Sequence, residues 1–297
     1  MSIYLTGATG FVGKNLISYL GDHFYITKYC RGSKINIQDD TVIHLAGKAH
    51  DLKNASLETE YYLVNTDLTK EVFDAFLASE AKVFIFLSSV KAVADDVQLE
   101  LKEDVIPNPI THYGKSKLLA EQYIFSKKIP DGKRIYILRP CMIHGPGNKG
   151  NLNLLYNYVS KGFPWPLGAF ENKRSFCSID NLCFIITELI TNNKIPSGVY
   201  NLADDDSLST NEIITLISQS QENKTIIWKA PKFLILSFAK FGDLFKLPLN
   251  TESLMKLTET YVVSNEKIKN AIQKKLPITA KMGLSKTLIS FGNSHTH

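Results

Sequence analysis

The chain is poor in residues that staple or ligate. Its 297 residues include four cysteines, Cys30, Cys141, Cys177 and Cys183. None forms a CxxC pair or zinc-ligand spacing, which argues against a disulfide framework or a zinc site. A strand-like Ile3-Tyr4-Leu5 stands where a secretory leader would be, so the expected compartment is a reducing cytoplasm. No apolar stretch reaches the roughly 18 residues needed to span a bilayer. Like charges form no runs: the net charge is +5, but lysine and arginine are dispersed. That pattern describes a mildly basic surface and not a nucleic-acid footprint. A weak positive field of this kind still draws in an anionic substrate. Internal repeats and low-complexity tracts are also lacking. The length suffices for one large α/β unit or a domain plus a lobe.

Glycine is placed deliberately. The stretch Thr6-Gly7-Ala8-Thr9-Gly10-Phe11-Val12-Gly13 follows the first strand and opens a helix expected over residues 11–20. Glycines there let backbone N–H groups approach a pyrophosphate at a helix N-terminus, so Gly7, Thr9, Gly10, Phe11, Val12 and Gly13 are the expected dinucleotide cradle. Further apolar runs at 25–30, 41–46, 82–87 and 135–138 suit strands covered on both faces. Helical periodicity occupies 61–78, 113–125 and 152–161. Only a brief strand over 34–37 fits between the second and third main strands, so one crossover helix is missing. The alternation predicts an α/β fold, a Rossmann-type doubly wound parallel sheet with a smaller α/β C-terminal substrate lobe. The expected division is residues 1–145 for the dinucleotide and 146–297 mainly for substrate, with some segments returning to the first domain.

About eighteen residues after Gly13, where a NAD-binding chain carries an acid for the ribose hydroxyls, stands Cys30-Arg31-Gly32-Ser33. Arg31 suits a 2′-phosphate, so NADP(H) is favoured and NAD(H) is the alternative. Asp39 or Asp40 is placed to reach the adenine edge. Leu45, Ala46 and Gly47, after a strand ending at His44, allow the cofactor close approach. His44 itself reads as structural, and Lys48 and His50 stand in a loop that either lines the substrate site or is simply solvated.

Tyr113 and Lys117 lie four apart on one helix face. A free tyrosine titrates near pH ~10, too high for efficient proton exchange at neutrality. A neighbouring ammonium lowers that value. Ser88-Ser89 closes a preceding apolar strand and supplies a hydroxyl for the reacting oxygen. Arg174 carries the planar fork that suits phosphate oxygens, against the plain alternative of a salt bridge to Asp180 or Glu171. Asn148 and Asn151 are candidates for uracil or sugar contact, though turn chemistry also explains them. The apolar stretch 231–249 reads as a helix buried in the second lobe, in preference to a membrane-adjacent or dimer-forming surface.

Together these motifs resemble the extended short-chain dehydrogenase/reductase family, whose members are mostly nucleotide-sugar epimerases, dehydratases and reductases. The resemblance makes Ser89, Tyr113 and Lys117 a catalytic triad, because the family's serine or threonine holds the second position of Ser88-Ser89. It also matches Asn65 to an asparagine before the long helix, assigned here to the cofactor side. His144-Gly145-Pro146-Gly147 resembles a family segment that usually begins with tyrosine. Arg174-Ser175-Phe176 resembles the segment whose arginine contacts nucleotide-sugar phosphates. Val90-Lys91 replaces the acidic pair of the dehydratases, and Lys91 replaces the cysteine of the GDP-sugar epimerase/reductases; Lys91 is instead taken as substrate-facing. What the resemblance then implies is reduction, by NAD(P)H, of the C4 ketone of a UDP-4-keto-6-deoxy-N-acetylhexosamine for bacterial surface polysaccharide. The alternatives are a NAD-dependent UDP-hexose or UDP-HexNAc 4-epimerase and, from another class, a non-catalytic dinucleotide sensor. A homodimer is a further expectation by analogy.

Overall fold

The computed structural model describes residues 1–48, 57–148, 150–222, 224–245 and 250–293. The chain opens with β1 (Ser2–Thr6), the glycine turn and α1 (Phe11–Leu20), followed by β2 (Tyr25–Lys28) and β3 (Thr41–His44). A helical stretch comes next as α2 (Glu58–Tyr62), a π-helical turn (Leu63–Asp67) and α3 (Leu68–Ala78). Then come β4 (Val83–Leu87), β5 (Glu100–Leu101), α4 (His112–Ser126), β6 (Arg134–Pro140) and β7 (Met142–His144). The remainder runs α5 (Asn151–Ser160), β8 (Phe176–Ser178), α6 (Ile179–Thr191), β9 (Gly198–Leu202) and α7 (Thr210–Ser220). It ends with α8 (Lys232–Phe245), α9 (Thr251–Thr258), β10 (Val262–Val263), α10 (Glu266–Ile272) and α11 (Ala280–Asn293).

Six parallel strands form the main sheet in the order β2-β1-β3-β4-β6-β9. Leu5 pairs with Ile43, Ile43 with Ile85 and Ile85 with Tyr136, so one register row of apolar residues crosses four strands. Strand alternation sends Ile3, Leu5, Ile43, Ile85 and Leu138 to a core shared with Leu16 of α1 and with α6. Their neighbours Tyr4, Val42, Phe84, Phe86 and Ile137 pack on Val72, Phe73 and Phe76 of α3 and on Ala120 and Ile124 of α4. Each such side chain contributes roughly 1.5–3 kcal/mol by leaving water. Both faces are covered, which is why these strands read as continuous apolar runs. A separate core joins Val159, Phe176, Ile213, Ile217 and Leu284 under the C-terminal lobe.

The strand order reverses at β1/β3, the place where such sheets receive ligands. No helix occurs between β2 and β3, in keeping with the missing crossover. The brief strand expected over 34–37 is absent too. That segment is an irregular connection, held because Ile37 is buried and Ile35 and Tyr29 pack on the same core. The helix expected over 61–78 begins earlier and is broken by the π-helical turn.

The expectation of a buried helix over 231–249 is corrected for Lys232–Phe245, and 246–249 lie outside the described residues. Within α8 only Ile235, Ala239 and Gly242 are buried. Three inward positions on one side suffice to seat the helix, and periodicity alone does not say which side that will be.

Candidate active site

One continuous cleft of about 1010 Å³ runs from the glycine turn past Ser89 and Tyr113 to Arg174 and Tyr261. Its size lies at the upper end for ligand sites, enough for two ligands in line. At the first end, Gly7 adopts φ +74°. A Cβ on Gly13 would lie 2.2 Å from the Gly7 carbonyl oxygen, so only glycine lets α1 start so close to the turn. The N-terminus of α1 has no side-chain cap and no acid in its first turn. Its free N–H groups and positive dipole end suit a diphosphate, and the residues present therefore fit a dinucleotide. Gly7, Thr9, Gly10, Phe11, Val12, Gly13, Leu45 and Gly47 all line this end.

Three expected cofactor residues stand elsewhere. Arg31 is exposed in a turn closed by Ser33 N–H donating to the Cys30 carbonyl, and it is not part of the cleft wall. Ala46 uses its backbone N–H to donate to Thr6 Oγ1 at 3.1 Å. Asn65 is fully buried behind the cleft. Its amide donates to the Lys48 carbonyl and to Ser116 Oγ, while its Oδ1 accepts from Lys48 N–H at 2.7 Å. Asn65, in the π-helical turn, thus fixes the loop after β3. Asp39 accepts from Thr27 Oγ1, and Asp40 accepts from Ser2 N–H, so both serve the sheet.

His44 lies beneath the cleft. Thr69 Oγ1 donates to the Asn65 carbonyl, so it accepts from His44 Nε2 at 2.8 Å. Thr6 Oγ1 then donates to His44 Nδ1 at 2.7 Å. Burial, with Lys117 nearby, pushes His44 down to about 3, so the ring is neutral and structural.

Helix α4 carries Tyr113 and Lys117 into the cleft. Thr111 caps the helix by accepting from Gly114 N–H at 3.2 Å. Asp95, in turn, accepts from Ile110 N–H, Thr111 N–H and Thr111 Oγ1. A Cβ on Gly114 would lie 2.3 Å from the Lys91 carbonyl oxygen, so glycine lets α4 meet the segment after β4. That contact sets Tyr113 in hydrogen-bond range of Ser89, whose Oγ also accepts from Lys91 N–H at 3.2 Å. Burial pushes the Tyr113 phenol up, and the bond to Ser89 partly offsets the rise. Lys117 Nζ donates to the Leu87 carbonyl at 2.8 Å. Burial lowers Lys117 to about 8, with Glu121 opposing the shift.

Beneath this group lies an ion pair that the sequence analysis missed. Arg139 Nε and Nη2 donate to Glu121 at 3.0 and 2.5 Å, and both side chains are buried. Ser88 Oγ also donates to Glu121, which separates the roles of the adjacent serines. The available signal was Glu121 one helical turn beyond Lys117.

At the far end Lys91 Nζ donates to the Asp95 carbonyl at 2.6 Å and sits 4.3 Å from the Tyr261 ring centroid. Burial lowers its pKa. Arg174 donates from Nη1 to the Lys256 carbonyl at 2.6 Å and pairs through Nη2 with Glu259 at 3.4 Å. The expected alternative partners are corrected: Asp180 pairs with Lys286, and the carboxylate at Arg174 is Glu259. Lys48 lines the cleft, but its ammonium is paired with Glu60. Asn148 lines it as well, with its amide donating back to the Ile143 carbonyl. Asn151 heads α5; its side chain lies outside the described residues, as does His50. His144 is buried beside Thr287 and Asp204. Ser175 and Tyr261 complete the wall and were not foreseen. No cluster able to hold a metal ion occurs among the described residues.

The sequence matches the NAD dependent epimerase/dehydratase family over residues 31–203. It is 31% identical over 318 residues to a UDP-glucose 4-epimerase of Vibrio cholerae, covering 98% of this chain and 95% of that one. It is also 31% identical over 245 residues to the N-acetyl-alpha-D-glucosaminyl-diphospho-ditrans,octacis-undecaprenol 4-epimerase of Escherichia coli O157:H7, covering 75% and 73% of the two chains. The solved UDP-N-acetylglucosamine 4-epimerase of Bacillus cereus has the same fold, with a TM-score of 0.76 at 20% identity and 100% coverage of both chains. The chain belongs to the NAD dependent epimerase/dehydratase family.

Proposed function

We propose that this protein is a NAD-dependent 4-epimerase of a UDP-hexose or UDP-N-acetylhexosamine. The observation that carries the reading is near full-length similarity to a UDP-glucose 4-epimerase, in a chain whose cleft joins a dinucleotide cradle to Ser89, Tyr113 and Lys117. The first expectation, a 4-ketoreductase using NADP(H), has less support. Both relatives at 31% identity are 4-epimerases, and Arg31, its main argument, lies off the cleft.

In this reading residues 1–145 hold the dinucleotide and 146–297 mainly the substrate. The glycine turn and the start of α1 would hold the dinucleotide, whose nicotinamide would supply reversible hydride exchange at C4. Ser89 and Tyr113 hold O4 between them. Tyr113 accepts the O4 proton during oxidation and gives it back on return, general acid–base work worth roughly 10²–10⁴ in rate. The Lys117 ammonium favours the phenolate that this requires. Arg174 and Lys91 offer positive charge to the diphosphate end, with Asn148 near the uracil or sugar.

The test is incubation of purified protein with UDP-glucose and with UDP-GlcNAc, without added reductant, followed by anion-exchange separation of the C4 epimers. Release of bound dinucleotide by heat identifies the cofactor in the same sample. Interconversion with NAD retained supports the epimerase. Inert sugars, with NADPH consumed on a UDP-4-keto-6-deoxy-HexNAc, overturn it in favour of the reductase.

A further inference from the structure

Helix α8 has an apolar face directed away from the molecule. Phe233, Leu234, Leu236, Phe238, Phe241, Leu244 and Phe245 are 43–75% exposed. At about 100° per residue, all but Leu236 fall within an arc of about 140°, opposite the buried Ile235, Ala239 and Gly242. Ser237 is the one polar residue in that arc. Just before the helix, Ile226 and Trp228 are also exposed, at 62% and 54%. Large apolar side chains gathered on one exposed face mark a contact with a protein or a membrane.

Charge says what covers it. Lys240 is exposed at the edge of the apolar arc and Lys229 is exposed just before the helix, while Lys232 lies on the opposite side, 5.6 Å from the Phe170 ring centroid. Asp243 is the lone acid of the helix, and it is occupied by Thr251 N–H and Oγ1. Pairing of α8 with its own copy about a two-fold axis would set Lys240, near the helix midpoint, against Lys240. An apolar arc with a lysine fringe and a tryptophan at its edge instead fits the boundary between acyl chains and anionic headgroups.

We propose that α8, with Trp228 at its entry, lies on an anionic lipid bilayer as a peripheral contact. No helix among the described residues is long and apolar enough to cross a membrane, so the contact is with one leaflet. Helix α9 packs against α8 and supplies the Lys256 carbonyl that accepts from Arg174. Through α9, then, α8 is linked to the Arg174 end of the cleft. The proposal rests on the surface alone and stands whichever reaction the cleft performs.

The experiment is flotation of the full chain with vesicles of phosphatidylcholine containing phosphatidylglycerol, against vesicles of phosphatidylcholine alone. Most of the protein should float with the anionic vesicles, and Phe238→Glu/Phe241→Glu should cut the bound fraction roughly tenfold. Lys229→Glu/Lys240→Glu should erase the preference for anionic lipid. Emission of the unaltered protein gives a readout free of variants. Trp165 is buried, so a blue shift on adding vesicles reports Trp228. Failure of the intact protein to float or shift overturns the proposal. So does flotation unchanged by the double glutamate variant, or a solution dimer that this variant splits while vesicles are ignored.

Discussion

The two ends of the cleft are built in different ways. The glycine-turn end is local: eight consecutive residues set the turn, and the backbone does the work. The Arg174 end is assembled over distance, from Arg174, Glu259, Lys256 and a Tyr261 whose hydroxyl donates to the Ala94 carbonyl. Local backbone geometry leaves a spacing in the sequence. Side chains gathered from segments more than 80 residues apart leave none. The Ser89–Tyr113–Lys117 group lies between these extremes, with Tyr113 and Lys117 legible as a helical pair and Ser89 placed against them by the α4 contact.

That contrast can be broken at four points. The largest effect belongs to the junction: Tyr113→Phe should lower kcat by roughly 10²–10⁴ while retained dinucleotide is unchanged. Near-native kcat in that variant would remove Tyr113 from the chemistry. Next comes Gly13→Val, which forces the helix start away from the turn. A displacement on the order of 1 Å at a positioning element costs about a hundredfold. Isolated protein should then carry little dinucleotide, read from its absorbance after heat release, and full occupancy would refute the close-approach argument. At the far end Arg174→Ala should raise KM about tenfold with kcat nearly kept, since it loses binding common to ground and transition states. A fall in kcat alone would show that the guanidinium acts nearer the reacting atoms. The smallest effect is in pH. Lys117 is charged below about 8 and neutral above it, so kcat/KM should decline as pH rises through that value. Lys117→Arg, which keeps its charge, should move that decline upward; an unmoved profile would assign the titration elsewhere.

The same contrast explains how much could be read beforehand. The parallel sheet, the absent crossover helix and the Tyr113–Lys117 pair were legible, because each leaves a short-range pattern. Arg31 stands outside the cleft wall, and this was not legible, because its position after β2 says nothing about which way an exposed turn faces. Asn65 was matched to the right element but turned out to brace the Lys48 loop from behind. Helix α8 showed its periodicity plainly. Its outward apolar face was hidden, since Ile235, Ala239 and Gly242 look no more like an inner face than the phenylalanines do.

The buried Glu121–Arg139 pair has a consequence for how this site can evolve. Loss of either partner strands the other charge in the core, at a cost of about 3–5 kcal/mol. A domain holds only about 5–15 kcal/mol in reserve. Lineages that change one partner should therefore be found to have changed both, with Ser88, which donates to Glu121, free to follow. Pairwise inheritance of positions 121 and 139 becomes the mark by which descent within this site can be traced.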